Sequence, residues 1–423
     1  MSELPPIPRP EQAPLPPPPG QRRIVLPPHR QRARRPWSVR AREWIRRNLF
    51  PSPGGTLLTL LSAGVMGIML AGVIWFVFFD ANWNVITANR WLLFAGSFPR
   101  EEAWRLWTSI AVVMFLIGLA YGTWSSLGRR DTLFVVLTGA FVIFLMAHGG
   151  ASIWSSIWFL VAIGLLYVGY YLTIWMPRET STLRTWHQRI VGGLLALSLP
   201  IVLVILMAAG GANTRQFDGF VLNLILAPVG IVGGLVVAIP LALGRASTMR
   251  TIKWTCTAYI EIVRGAPLLG WLFVALFILT DVIGDNLIIN TMVVLAVFTG
   301  AYMAEYIRGG LQALPSGQYE AAQAVGLTKL QSMQLIILPQ ALRISIPPIV
   351  GQAIAIWKDT TLVTIILTLR ELKGNADSAI AQSEFIPDRI EAYVFVAVVF
   401  WVVAFMMSRV SQRLERAQGI GER

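Results

Sequence analysis

The sequence from Glu320 to Pro339 reads Glu320-Ala321-Ala322-Gln323-Ala324-Val325-Gly326, then nine residues, then Ile336-Ile337-Leu338-Pro339. Ser316 is a candidate N-cap for a short helix that runs to Val325, and Gly326 can adopt the left-handed conformation that ends a helix. Thr328 with Gln331 is a capping-box pattern that begins a second helix. The stretch therefore predicts two short helices joined at a glycine.

The first of these helices is rich in alanine, at Ala321, Ala322 and Ala324. Because alanine has only a methyl side chain, another protein could approach this helix backbone closely. Glu320 is expected in the first turn, where the helix dipole favours a carboxylate. These features favour a docking surface, and the simpler alternative is an ordinary surface helix pair in a cytoplasmic loop.

The pattern Glu-Ala-Ala, three residues, Gly, nine residues and Ile-x-Leu-Pro closely resembles the EAA loop in permease subunits of binding-protein-dependent ABC importers. The resemblance implies that the loop faces the cytoplasm and seats in a cleft of the ATP-hydrolysing subunit. The residues that would carry this coupling are Glu320, Ala321, Ala322, Gly326, Leu327, Leu338 and Pro339.

The composition is that of an integral membrane protein. Of 423 residues, 55% are hydrophobic and only 13% are charged, far from the usage of soluble domains. The net charge of +13 could suggest nucleic acid binding, but the positive residues lie at the ends of apolar segments and in one tail, as membrane orientation requires. We therefore expect no nucleic acid partner. The single cysteine, Cys256, excludes an intrachain disulfide, and three scattered histidines predict no metal site.

The first 55 residues hold 14 of the 25 prolines and eleven arginines against three glutamates. We expect a largely disordered or polyproline-like tail up to about Pro36, cytoplasmic by the positive-inside rule and without a cleaved signal peptide. Trp37 to Phe50 could form an amphipathic helix on the membrane, and a solvated basic linker is the alternative.

A spanning helix needs about 20 apolar residues, and such windows recur along the rest of the chain. We expect an all-α polytopic protein of about ten transmembrane helices, with both termini cytoplasmic because the loops predicted inside are basic. The predicted spans are 57–79, 109–127, 132–147, 157–176, 190–210, 221–243, 258–280, 288–306, 343–366 and 389–408.

The predicted docking loop falls between the eighth and ninth spans. This placement resembles the five-helix core of importer permeases. We divide the chain into a Pro/Arg-rich tail (1–55), accessory transmembrane helices (56–210) and a permease core (211–423) with its coupling loop at 315–340.

Two further stretches are similar to signatures of the polar amino acid permeases: residues 259–269, and Lys358-Asp359-Thr360-Thr361-Leu362 after residues 338–343. The long basic tail with extra spans looks like the larger permease of general L-amino acid importers. Asn223 stands where the family pattern would have a threonine. The resemblance implies transport of L-amino acids with broad or polar specificity.

Lys358 and Asp359 are expected about 22 Å along their helix from Arg343, where a charge must face protein, water or substrate. With Thr360, they are substrate-path candidates, since a zwitterion offers both an ammonium and a carboxylate. The alternative is a helix break at which the pair caps an outer helix beginning near Leu362.

Other charged pairs flank the cytoplasmic side of the predicted membrane. Glu261 and Arg264 are three residues apart, as are Glu305 and Arg308, and we expect both pairs to brace helix ends. Gly265 before Pro267 predicts a bend, because proline lacks a backbone donor and its predecessor avoids the helical region.

No phosphate-binding loop, nucleophile elbow or zinc-protease motif occurs in the sequence. We expect no enzyme activity and no cofactor on this chain, with ATP bound by a partner. The resemblance implies ATP-binding subunits, a second, shorter permease, a periplasmic amino acid-binding protein and a place in the bacterial inner membrane bilayer. The alternatives are a secondary transporter driven by an ion gradient and a membrane scaffold or sensor.

Overall fold

A computed structural model describes residues 37–124, 153–175 and 181–417. Within these ranges the chain is helical, and its single β-contact is an isolated bridge between Gly219 and Glu371. The all-α prediction is confirmed. The tail before Trp37 and the predicted span 132–147 lie outside the described residues.

Helices before residue 210 are α1 (Trp37–Asn48), α2 (Pro53–Trp75), α3 (Asn84–Ala88), α4 (Arg90–Ala95), α5 (Ala103–Trp124), α6 (Ile153–Trp175), α7 (Ser181–Ala196) and α8 (Ser198–Met207). Those that follow are α9 (Gly219–Arg245), α10 (Arg250–Gly265), α11 (Leu268–Phe273), α12 (Leu279–Val282), α13 (Leu287–Gln312), α14 (Ser316–Ala324), α15 (Lys329–Ser332), α16 (Leu338–Asp359), α17 (Val363–Leu367), α18 (Leu372–Ile380) and α19 (Arg389–Ala417). One-turn π-helices follow α2, α11 and α15, at Phe76–Asp80, Val274–Ile278 and Met333–Ile337.

The chain divides into two compact units, Met1–Asp80 and Ala81–Arg423. This division falls inside the predicted accessory segment. In the first unit, Ser52 caps α2 by accepting a hydrogen bond from the Gly55 amide, and Pro53 occupies the first helical position, where its missing N–H costs nothing. None of α2 is buried, as expected of an apolar helix whose surroundings are lipid.

The second unit is built around α9 and α13, which pack closely along their length. A Cβ added at Gly234 would lie 2.7 Å from Cγ2 of Thr299, so only glycine permits this approach. One end of the core buries Leu222, Leu226, Leu295 and Ile356. The other end buries a separate cluster, described below, beside the C-terminus of α9.

Six helices in the described ranges are long and apolar enough to span a membrane, or up to eight if two bent pairs each count as one span. The pairs are α7 with α8, bent by 42°, and α10 with the Leu268–Val282 segment, bent by 101°. The bend predicted at Gly265 and Pro267 is present, and its 101° angle divides the predicted span 258–280 into two helices. Within α6, the apolar part is shorter, at Leu160–Trp175.

Candidate functional site

A pair of short helices, α14 and α15, leaves the end of α13 and projects from the core; we call residues 316–332 the knuckle. Gly326 has φ of +81° and joins the two helices. Its amide donates to the Gln323 carbonyl at 2.9 Å, and the Leu327 amide donates to the Ala322 carbonyl at 3.2 Å. These bonds satisfy carbonyls at the end of α14, as a left-handed glycine cap does.

The capping of the two helices differs in part from the sequence prediction. The Thr328–Gln331 capping box is present, with the Thr328 hydroxyl accepting from the Gln331 amide. Ser316 is not the N-cap of α14, because the helix begins one residue earlier than predicted and Pro315 holds the cap position. Glu320 consequently lies beyond the first turn of α14, where the helix dipole acts on it only weakly.

The surface of the knuckle is exposed and presents apolar side chains among polar ones. Glu320, Ala321 and Pro339 are exposed, while Leu327 and Leu338 are half-buried. Ala322 is only 4% exposed, so it packs inward and is not part of the alanine surface predicted for a partner. Three large apolar side chains at the knuckle and just after it are exposed instead: Val325 (74%), Leu330 (66%) and Leu335 (64%).

The knuckle is fixed to the core through the segment that follows it. Ile337 is fully buried with Ile260, Met303, Ile307 and Ala341, in a group that we call the knuckle cluster. This cluster joins α10, α13 and the start of α16. Movement of the knuckle would therefore displace packed core side chains.

Hydrogen bonds reinforce this connection. The Gln340 amide group donates to Oε1 of Gln318 at 3.0 Å and to the Ile336 carbonyl at 2.9 Å, linking α16 back to α14. The Ser345 hydroxyl donates to the Tyr306 carbonyl at 3.0 Å, linking α16 to α13. The knuckle is thus exposed but attached to the core by packing and hydrogen bonds.

Charged residues near the knuckle cluster form one network across three helices. Arg245, at the end of α9, contacts Glu261 of α10 at 2.9 Å and Glu305 of α13 at 3.0 Å. Glu305 also pairs with Arg308, and lies 3.8 Å from Arg264. The guanidinium of Arg264 stacks over the Tyr302 ring at 5.3 Å. Glu261 therefore pairs with Arg245 rather than with Arg264, and the network braces helices against each other.

The substrate-path candidates occupy different environments. Helix α16 continues to Asp359 and passes through a 3₁₀ turn, Thr360–Leu362, into α17. Lys358 is exposed and Asp359 half-buried, and the Asp359 side chain caps neither turn. Thr360 is fully buried; it donates to the Trp357 carbonyl and accepts from Asn223 Nδ2 at 2.9 Å. Thr360 is thus held by hydrogen bonds inside the protein, whereas the side chains of Lys358 and Asp359 remain at least partly accessible.

Asn223 and Thr360 belong to a buried polar network that we did not predict from the sequence. Glu371 is fully buried, and its carboxylate accepts four hydrogen bonds: from Asn223 Nδ2, the Thr364 hydroxyl, and the amides of Lys373 and Gly374. Burial raises the pKa of Glu371, while these donors lower it. The Leu372 amide donates to Asn223 Oδ1 at 3.0 Å, which closes the network. In the sequence, the only feature that pointed to this network was Asn223, which stands where the family pattern would have a threonine.

The segment 81–98, ahead of the core in sequence, attaches to this same end of the molecule. Its Asn82 donates to Asp388 and Glu391, and its Leu92 carbonyl accepts from Asn375 at 2.7 Å. The Ser97 amide donates to Asp218 at 3.1 Å. Part of the accessory region is therefore built into the core.

Fold and site together define the class: an all-helical, multi-pass membrane protein with an exposed knuckle attached to its spanning helices. Residues 230–419 match the model of the family described as binding-protein-dependent transport system inner membrane component. The chain is 33% identical to the inner membrane amino-acid ABC transporter permease protein YhdY of Escherichia coli K12, over 91% of this chain and 95% of the relative. The chain belongs to this family of transport system inner membrane components.

The chain is also similar to a second relative and to part of a solved structure. The glutamate/glutamine/aspartate/asparagine transport system permease protein BztC of Rhodobacter capsulatus is 34% identical, over 89% of this chain and 94% of the relative. A crystal structure of an amino acid ABC transporter with histidines is 28% identical, covering 47% of this chain and 91% of that chain with a TM-score of 0.43.

Proposed function

We propose that this chain is the membrane permease subunit of a bacterial ABC importer that carries L-amino acids, with broad or polar specificity, across the inner membrane. The observation that carries the proposal is the exposed knuckle, closed by a left-handed Gly326 and anchored through Ile337. The two relatives that match over most of their length are an amino-acid permease and a glutamate/glutamine/aspartate/asparagine permease, which supports amino acids as the substrate class.

The knuckle would couple transport to a separate ATPase. A partner that grips Val325, Leu330 and the exposed face of α14 would gain apolar contact area. Because Ile337 and Gln340 tie the knuckle to α10, α13 and α16, its displacement would reach the spanning helices. The coupling is a population shift between two access states, with the knuckle as the element that the partner biases.

The expected assembly has four kinds of component beside lipid: this chain, ATP-binding subunits, a second, shorter permease and a periplasmic amino acid-binding protein. Both termini of this chain would be cytoplasmic, on the side of the ATPase. ATP would bind to the partner, and no cofactor is assigned to this chain.

The direct test is to purify the tagged chain in mild detergent, identify co-purifying chains by mass spectrometry and assay vanadate-sensitive ATP hydrolysis. We expect an ATPase subunit and a second permease, with hydrolysis stimulated by the loaded binding protein. A single chain without ATPase activity, isolated under conditions that preserve known importer complexes, would overturn the proposal in favour of an ion-driven transporter.

Lys358 and Asp359 are the proposed contacts for the substrate zwitterion. If Asp359 meets the ammonium group, Asp359→Asn should weaken substrate binding by about tenfold or more, since a charge-assisted contact is worth about 1.5–3 kcal/mol. Calorimetric titration of the purified complex measures this, with the exposed Glu384→Gln as a matched control. Unchanged affinity in Asp359→Asn would remove this residue from the path.

A further inference from the structure

The first described helix, α1, is amphipathic. On a helix with 3.6 residues per turn, Trp37, Ala41, Trp44 and Ile45 fall within an arc of about 100°. The two tryptophans and Ile45 are exposed by 79%, 59% and 43% of their surface. A soluble helix would bury such a stripe against its own chain, so this face is covered by something else.

The rest of α1 is basic. It contains Arg40, Arg42, Arg46 and Arg47 against one acidic residue, Glu43. Arg42, Arg46 and Arg47 are exposed. Arginines beside an apolar stripe that contains tryptophan are the composition of helices that lie in the membrane interface.

The connection to α2 places α1 at the membrane surface. Helix α1 ends at Asn48, whose side chain donates to the Trp44 carbonyl at 2.8 Å. The hydroxyl of Thr59, in the second turn of α2, donates to the Leu49 carbonyl at 2.6 Å. Measured along the axis of α2, the end of α1 therefore lies at the height of Thr59 and does not extend past the N-terminus of α2.

This level matters because the apolar run of α2 has already begun at Leu57 and Leu58, which are exposed. Where α2 spans the bilayer, Thr59 lies near the edge of the hydrocarbon, and Leu49 must lie there too. The chain cannot carry α1 far from this depth, since no residue separates Leu49 from the end of α1.

We infer that α1 is a lipid-binding helix that lies in the membrane interface, with Trp37, Trp44 and Ile45 among the acyl chains and its arginines among anionic lipid headgroups. A neutral surface would offer no counter-charge to a helix with four arginines and one glutamate, and a nucleic acid or an acidic protein would leave the tryptophans exposed. An anionic lipid surface offers acyl chains to the apolar face of α1 and negative charges to its basic face.

The test uses the full-length protein with nitroxide labels. In a Cys256→Ser background, which removes the natural cysteine, Ala41→Cys puts a label in the apolar arc and Val39→Cys puts one on the opposite face. Both changes keep every arginine and tryptophan of α1. The labelled chains are reconstituted in vesicles of phosphatidylcholine with phosphatidylglycerol, and label depth is measured from collisions with oxygen and with an aqueous nickel chelate.

We expect the label at position 41 to lie roughly 5–10 Å below the headgroup surface and the label at position 39 to lie in water. Equal access of the nickel chelate to both labels would overturn the inference. Shielding of position 41 from both reagents would overturn it also, because that result means that protein covers this face.

The arginines are tested by lipid charge. Each arginine near an anionic surface favours the bound state by roughly fivefold, so Arg46→Gln with Arg47→Gln should lower the immersed population of the position 41 label. Vesicles of phosphatidylcholine alone should do the same to the unchanged helix. Immersion that is independent of both changes would overturn the assignment to anionic lipid.

Discussion

Glu371 shows how a single buried carboxylate can organise one end of the core. Its four hydrogen-bond donors come from residues 223, 364, 373 and 374, so the carboxylate ties the start of α9 to the segment after α17. All four partners are donors, and an ionised carboxylate is the side chain that accepts from all of them. Removing it would leave buried donors without acceptors.

We therefore expect Glu371→Ala to destabilise the protein by about 3–5 kcal/mol, because several buried donors lose their acceptor at about 1–3 kcal/mol each. Glu371→Gln should cost less, about 1–3 kcal/mol, because the amide keeps one acceptor but turns its NH₂ towards donors. Thermal unfolding in detergent, followed by size-exclusion recovery, measures both. The exposed Glu384→Gln is the control, and equal stability of Glu371→Ala and this control would contradict the role given to the network.

The same carboxyl predicts a dependence on pH. Burial raises the pKa of Glu371 above its ordinary value of 4.5. The folded state then binds more protons than the unfolded state, so this group's contribution to stability falls as pH rises from 4.5 through the raised pKa. Glu371→Gln lacks the titrating group. The stability of the wild type minus that of the variant should therefore decrease across this window, and an increase with pH would count against the direction of the shift.

At the scale of elements, substitutions in the knuckle can distinguish the effect of backbone conformation on coupling from the effect of an added charge. A Cβ at Gly326 meets nothing within 4 Å, so a substitution there acts through backbone strain or through the partner. We expect Gly326→Asp to lower coupled uptake and ATPase stimulation about tenfold, since a desolvated charge at a docking surface costs at least 1.4 kcal/mol. The chain should remain inserted with an unchanged unfolding midpoint.

Two variants complete this comparison. Gly317→Asp adds the same charge to α14, at a site also free of neighbours but without a positive φ. Gly326→Val adds no charge but forces a β-branched residue into the left-handed region, which costs about 1–2 kcal/mol. Unchanged uptake in Gly326→Asp would refute the coupling role. If uptake is lost in Gly326→Val but not in Gly317→Asp, the loss comes from the conformation of the turn and not from the added charge.

Most local patterns were predicted correctly, with the N-cap at Ser316 as an exception, whereas contacts between distant residues were not predicted. The left-handed Gly326, the Thr328–Gln331 box and the bend at Pro267 depend on neighbours in sequence, so residue types alone predict them. Burial of Ala322 and the pairing of Glu261 with Arg245 depend on how separate helices pack. Glu371 is 148 residues from Asn223, and no motif or periodicity connects the two.

At the scale of the whole molecule, the boundary between the two units differs from the boundary of the permease core. Residues 81–98 belong to the second unit and contact its core through Asn82, Leu92 and Ser97. Val85 and Leu93 are buried in the same region, with Trp357 and Ala376. The core inferred from the family resemblance, from residue 211 onwards, therefore makes both apolar contacts and hydrogen bonds with this segment.

This difference predicts where the chain can be shortened. In the proposed orientation residue 81 lies outside, so a cleavable signal peptide can replace residues 1–80 while the second unit keeps its topology. We expect that protein to fold, with the unfolding midpoint of its Ala81–Arg423 unit retained. Replacing residues 1–98 in the same way should lower the midpoint or abolish folding, because it also removes the hydrogen bonds of Asn82 and Ser97 and the buried Val85 and Leu93. As a control without any deletion, Asn82→Ala in the full chain should lower the free energy of unfolding by about 1 kcal/mol. If both shortened proteins unfold at the same midpoint, then residues 81–98 do not support the core, and the boundary at residue 211 would be the better one.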